Sequence, residues 1–194
     1  MSLSPEEQAR ADFYGLIARL FYAAPDAQLI SELVRAPVLE GEGALASAWR
    51  DMAEVCRTAY PVTLENEHTE LFVGTGKAEV TPYLSHYILQ RSSDNPLVEL
   101  RQQLAAWGIG RRDEVPEYED HISGICEAMR FAIAVQQRLP EEQKDYFERF
   151  VYRGAVAFCD AVSASPNARF YRLVAQFTRA FFEIEKSAFE MVDG

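Results

Sequence analysis

Three cysteines stand in the 194 residues, Cys56, Cys126 and Cys159, with no Cys-x-x-Cys and no histidine at zinc-finger spacing. An odd number so widely separated excludes a disulfide framework and a Cys/His zinc module, and leaves small buried hydrophobes as their role. Long apolar runs are also missing. The longest stretch without a charged residue, Val80 to Gln90, falls far short of the roughly 20 residues that cross a bilayer, so no stable membrane insertion is expected. At the N-terminus Glu6 and Glu7 occupy the place where an export signal carries positive charge, which predicts a cytoplasmic protein. Basic charge is scarce as well: 19 basic against 30 acidic residues give a net charge of −11. Such a surface repels a phosphate backbone, which argues against nucleic acid and for a basic peptide as partner. No phosphate-binding glycine loop is present, because Gly74-Thr75-Gly76-Lys77 is too short and lacks the trailing hydroxyl.

What the sequence does have is helix. Hydrophobic residues make up 48% and charged residues 25%, the balance of a folded protein. Ser4-Pro5-Glu6-Glu7 combines an N-cap, a proline at the first helical position and a capping-box glutamate, and Phe13, Leu16, Ile17, Leu20 and Phe21 follow at helical spacing until Pro25. Asp26 caps a short second helix ending before Pro37. Further helices are predicted over about Ala44–Tyr60, Val62–Val73, Pro82–Leu89, Asn95–Gly108, Glu117–Leu139, Pro140–Ala164 and Ala168 to near the C-terminus. Arg111–Val115 reads as a polar linker. No segment alternates like a strand. The expected architecture is all-α, a single-domain bundle of about eight or nine helices over residues 1–194, with a hinge loop at 74–81.

Three segments carry residues of chemical interest. In Glu67-His68-Thr69-Glu70-Leu71-Phe72-Val73-Gly74, Glu67, His68 and Glu70 admit a metal-site reading beside that of an amphipathic helix with Leu64, Leu71 and Phe72 inward. A diiron-type site needs Glu-x-x-His on further helices, and the residues three before His86 and His121 are Tyr83 and Tyr118. No metal and no cofactor are therefore expected. In Thr81-Pro82-Tyr83-Leu84-Ser85-His86-Tyr87, helical spacing puts Tyr83 and Tyr87 on one face and points Ser85 elsewhere; the tyrosines suit a peptide-binding wall or the rim of a core. In the third segment, Ile122, Ile125, Cys126, Met129 and Ile133 form a buried stripe. Asp120 and Glu127, seven apart, lie together on the opposite face, and His121 flanks the stripe. Neither Ser123 nor Cys126 has a base and an orienting third group, so no nucleophile is visible and the chain is not expected to be an enzyme.

In this order and spacing the three segments resemble the TorD/DmsD/NarJ family of cytoplasmic chaperones for molybdenum enzymes. Glu67 through Gly74 is similar to that family's Glu-x-x-Leu-Phe-x-Gly-like segment. Pro82, Tyr83, Ser85 and Tyr87 match its Pro-Tyr-x-Ser-x-Tyr motif. Glu117, Asp120 and His121, with Glu127 and Met129 following, match its Glu-Pro-x-Asp-His motif, except that Tyr118 stands where the family usually has proline; Pro116 lies two residues earlier. The resemblance implies a TorD-like all-α protein that binds the twin-arginine signal peptide of a cofactor-free molybdenum oxidoreductase. The client would be of the dimethyl sulfoxide reductase family, formate dehydrogenase included, held back from export until it is loaded. The peptide-binding residues it implies are Tyr83, Ser85, Tyr87, Glu119, Asp120, His121 and Glu127. A guanidinium pair followed by an apolar stretch requires carboxylates beside apolar surface, which these residues offer. The alternative is a helical metal-binding protein or enzyme using His68, His86 and His121. Long helices near the C-terminus can be exchanged between subunits, so a homo-oligomer is open to the chain.

Overall fold

In a computed structural model, residues 3–74, 76–89, 95–110 and 116–191 are described. The predicted linker Arg111–Val115 and Thr75 of the expected hinge lie outside them. The sequence capping signals act as expected. Ser4 Oγ accepts from the Glu7 N–H at 3.1 Å while the Glu7 carboxylate accepts from the Ser4 N–H at 3.0 Å, and α1 runs from Pro5 to Tyr22. The Asp26 carboxylate accepts from the Leu29 N–H at 2.7 Å and starts α2, Ala27–Arg35. Then come α3 (Ala44–Cys56), α4 (Pro61–His68) with a π turn at Thr69–Val73, α5 (Leu84–Leu89) and α6 (Pro96–Ala106). The second half holds α7 (Ile122–Ala134), α8 (Pro140–Tyr146), a π turn at Phe147–Tyr152 leading into α9 (Arg153–Ala164), and α10 (Phe170–Met191). With the π turns joined to their neighbours, these make nine helical rods among the described residues. No strand occurs there; Tyr83 and His121 form a single antiparallel bridge. No described helix is long and apolar enough to cross a membrane.

The core forms where α1 lies against α7 and where α10 lies against α3 and α9. Tyr14, Ile17, Leu20 and Phe21 of α1 meet Phe177, Phe181 and Phe182 of α10 in one buried cluster. Its rings pack edge to face, as with Tyr14 and Phe181 at 5.0 Å and Phe21 and Phe158 at 5.0 Å. Cys56, Cys126 and Cys159 are buried free thiols, as the spacing predicted. Burial pushes the Cys56 thiol up to about 11, which keeps it protonated and inert.

Three helix boundaries depart from expectation, and the start of α7 bears on function. The helix predicted over Glu117–Leu139 starts at Ile122, because His121 takes an extended backbone and its ring Nδ1 accepts the Ser123 N–H at 3.2 Å. It ends at Ala134, because Gln137 adopts φ 50° and Arg138 N–H turns back to the Ala132 carbonyl at 3.0 Å. Likewise α3 ends at Cys56, short of the expected Tyr60.

Candidate functional site

Five residues of the Glu67–Gly74 segment have a packing role, while Thr69, Glu70 and Val73 are exposed. Glu67 is buried, and its two carboxylate oxygens accept from the N–H groups of Arg169 (2.8 Å), Phe170 (3.2 Å) and Tyr171 (2.8 Å), capping α10. His68 lies beneath Phe72 and Tyr171, its Nε2 donating to the Phe21 carbonyl at 3.3 Å. Leu71 and Phe72 enter the core. Gly74 has φ 66°, and a Cβ there would stand 2.2 Å from the Lys77 carbonyl oxygen, so only glycine makes this turn. Beyond it, Glu79 accepts from Ser165 Oγ (2.6 Å) and Asn167 Nδ2 (2.9 Å), and Val80 N–H donates to the Leu71 carbonyl (2.9 Å). The far end of the expected hinge loop is thus tied to the α9–α10 turn and to the first motif.

The second and third motifs clasp each other. Leu84 N–H donates to the Asp120 carbonyl and Ile122 N–H to the Pro82 carbonyl, both at 2.9 Å. The Tyr83 hydroxyl donates to the Glu117 carboxylate and the Ser85 hydroxyl to the Asp120 carboxylate. Burial, then the Glu117 carboxylate, raises the Tyr83 hydroxyl pKa, so it stays a donor. The ring of Tyr83 stands edge-on to His121 at 5.4 Å.

This clasp corrects two expectations. Tyr83 precedes α5 rather than sharing its face with Tyr87, and it is Ser85 that joins Tyr83 in facing the acidic segment. Tyr87 turns into the core against Phe158, its hydroxyl donating to the Thr81 carbonyl at 2.9 Å, and burial lifts its pKa to about 12. Asp120 does not share an exposed face with Glu127: it sits before α7 and is only 4% exposed.

His121 is equally buried, at 4%. The Ser123 N–H can only donate, so Nδ1 is the unprotonated ring nitrogen; the Ser123 hydroxyl also meets it, at 2.6 Å. Burial, opposed by Glu117 and aided by His68, lowers the His121 pKa to about 4, and burial lowers that of His68 too. Because an unfolded histidine titrates near 6.5, the unfolded chain binds more protons below that pH. Stability is therefore full above about pH 6.5 and falls as pH drops toward 4. His121→Asn, which keeps a side-chain acceptor for the Ser123 N–H, flattens this decline; urea midpoints measured across pH 4–7 check it. A wild-type midpoint constant over that window would contradict the assignment.

Beside this clasp, carboxylates border an opening in the surface. A groove of about 640 Å³ opens between α1 and α7. Small residues line it from both helices, Gly15 and Ala18 on α1, Gly124 and Ala128 on α7. Tyr22 and Tyr118, 50% and 56% exposed, join Ile109 and Phe131 as its apolar walls. Glu117, Glu119 and Glu127 supply carboxylates. Glu119 pairs with Arg101 (3.1 Å), Glu127 with Arg130, and Arg19, also in the groove, with Glu32 (3.0 Å).

Of the seven residues singled out from sequence, Glu119 and Glu127 line this groove. Tyr83, Ser85, Asp120 and His121 form the clasp that positions the Glu117–Glu119 segment, and Tyr87 belongs to the core. Residues of α1 were not foreseen. Gly15 was the available signal: a glycine inside a helix costs about 1 kcal/mol against alanine, and a Cβ there would stand 2.9 Å from the Arg130 side chain. His68, His86 and His121 do not assemble: His68 is engaged by the Phe21 carbonyl, His86 is exposed, and among the described residues no three metal-ligating side chains gather.

Residues 40–155 match the nitrate reductase delta subunit family. The chain is 26% identical to the chaperone protein TorD of Shewanella loihica over 205 residues, covering 95% of each. Its fold is similar to that of a crystal structure assigned as a redox enzyme maturation protein from Archaeoglobus fulgidus, with a TM-score of 0.54 and 18% identity over 91% of this chain and 93% of that one.

Proposed function

From the premise that the chain belongs to the nitrate reductase delta subunit family, and is a TorD-like molybdoenzyme maturation chaperone, we propose that it binds the twin-arginine signal peptide of a cofactor-free molybdenum oxidoreductase in the groove between α1 and α7. Binding keeps the client from export until its cofactor is in place. The client belongs to the dimethyl sulfoxide reductase family, formate dehydrogenases among its members. The chain acts by binding and release, with no chemical turnover of its own.

The observation that carries this reading is the composition of the groove. Three carboxylates and a set of apolar and aromatic side chains border one opening of about 640 Å³, a size suited to a few side chains of a peptide. Guanidinium groups require the first set, and the apolar stretch behind them requires the second. Tyr118 contributes a wall at the position where proline was expected from the resemblance. The clasp holds the Glu117–Glu119 segment against α5, so two of the three carboxylates are presented from a fixed backbone. A net charge of −11 speeds the encounter with a cationic peptide.

Titration calorimetry tests it. A peptide with Arg-Arg followed by an apolar stretch is expected to bind at about micromolar affinity, near −8 kcal/mol. Glu119→Gln with Glu127→Gln, which removes two of the groove's carboxylates and leaves the Arg101 and Arg130 guanidiniums uncompensated beside it, is expected to weaken binding about threefold or more. Absence of binding heat and of competition between labelled and unlabelled peptide would overturn the reading.

A further inference from the structure

We propose that Arg101 and Arg130 are resident competitors for the groove: in the free protein each occupies a carboxylate that an incoming guanidinium takes, and together they set how tightly the groove holds its peptide. This rests on the peptide-binding reading above. Two carboxylates of the groove are already met by guanidinium. Arg130 approaches Glu127 with both prongs of its fork, Nε donating to Oε2 at 2.8 Å and Nη2 to Oε1. Arg101 places Nε (3.2 Å) and Nη2 (3.1 Å) on one oxygen of Glu119. The geometry is the one a peptide arginine would adopt on the same oxygens. Arg130 reaches Glu127 with its stem laid over α1, where the missing side chain of Gly15 leaves it room.

The environment allows exchange. Arg130 and Glu127 are 36% and 51% exposed, so that pair is weak and opens readily, and Arg101, 47% exposed, can swing away from Glu119, which is itself 18% exposed. When a peptide guanidinium displaces a resident one, a bond of the same kind is lost and made. The twin arginines then select position while adding little net affinity, and the peptide remains releasable, as a chaperone that must hand over its client requires. Salt gives a signature. An exchange leaves the number of ion pairs unchanged, so screening largely cancels; without the resident arginine each peptide guanidinium adds a new pair that salt screens.

Fluorescence anisotropy with a labelled Arg-Arg peptide at several salt concentrations tests this on the full chain, comparing wild type with Arg101→Gln, Arg130→Gln and the double variant; thermal melts establish that each is folded. Each single substitution is expected to tighten binding about three- to fivefold, the factor that corresponds to an exposed ion pair. The double variant is expected to tighten it further, with slower release and a steeper fall of affinity with salt. Wild-type binding matched by unchanged or weaker binding in the variants, or tighter binding with an unaltered salt slope, overturns the exchange while leaving the peptide site standing. Failure of all four proteins to bind overturns both. Binding by the variants alone supports exchange with a groove held shut by its own arginines.

Discussion

Glu185→Ala is expected to lower the unfolding free energy by about 3–5 kcal/mol, the cost of leaving one partner of a buried ion pair without the other. Glu185 is 2% exposed and lies on α10 facing α1. One of its oxygens accepts from Arg10 Nε at 2.7 Å; the other accepts from Arg10 Nη2 and from the Tyr14 hydroxyl, both at 2.9 Å. Burial raises the Tyr14 pKa well above its ordinary value, so the hydroxyl remains a donor that needs this acceptor. Alanine strands a largely enclosed guanidinium and a fully buried hydroxyl at once. Replacing Arg10 and Glu185 together by methionine is expected to be much milder, because no charge is then left unpaired. As a reference, Glu190→Ala removes only the exposed pair with Lys186 and is expected to change stability by less than about 0.5 kcal/mol. Urea unfolding curves with matching m-values separate the three. An E185A midpoint equal to that of E190A would refute the account.

Glu67→Ala is the second large loss, expected at about 2–4 kcal/mol. The first turn of α10 has no intrahelical acceptors for its N–H groups, and Glu67 accepts three of them from a different part of the chain. Alanine removes the acceptors and also the negative charge that favours the helix start. Glu67→Gln keeps one acceptor oxygen without the charge and is expected to lose about half as much. Hydrogen exchange adds a local readout: the Phe170 and Tyr171 amides should lose protection in E67A more than amides in the middle of α10. Uniform protection along α10 in that variant would mean that the cap contributes nothing of its own. The same residue was a candidate metal ligand when read in sequence; its three donors occupy both oxygens in a structural task.

How far the site was legible is clearest at Asp120 and Glu127. Seven residues apart, they share a helix face if the helix already runs through both. It does not, because the ring of His121 takes the Ser123 N–H and fixes the start of α7 at Ile122. Glu127 stays on the exposed face, whereas Asp120 falls into the clasp with Ser85. The apolar stripe Ile122, Ile125, Cys126, Met129 and Ile133 was read correctly, since a helix buries the residues its period aligns whichever residue opens it. Tyr83 and Tyr87 show the same limit: the proline before them announced a new element, and a two-residue difference in its start left one tyrosine in the clasp and turned the other into the core.

Local signals settled the helices themselves: Ser4 and Asp26 start their helices by bonding to residues three positions on, and the prolines and glycines stop the runs. The all-α class, the three motifs in order, the buried cysteines and the excess of acid were all properties of the chain read along its length. Which acids face solvent was decided elsewhere. Glu67 meets its donors more than a hundred positions away, and Glu185 meets Arg10 across 175. A carboxylate becomes a buried strut or part of the rim of a groove according to what distant helices bring beside it, and periodicity within one helix carries no information about that neighbour.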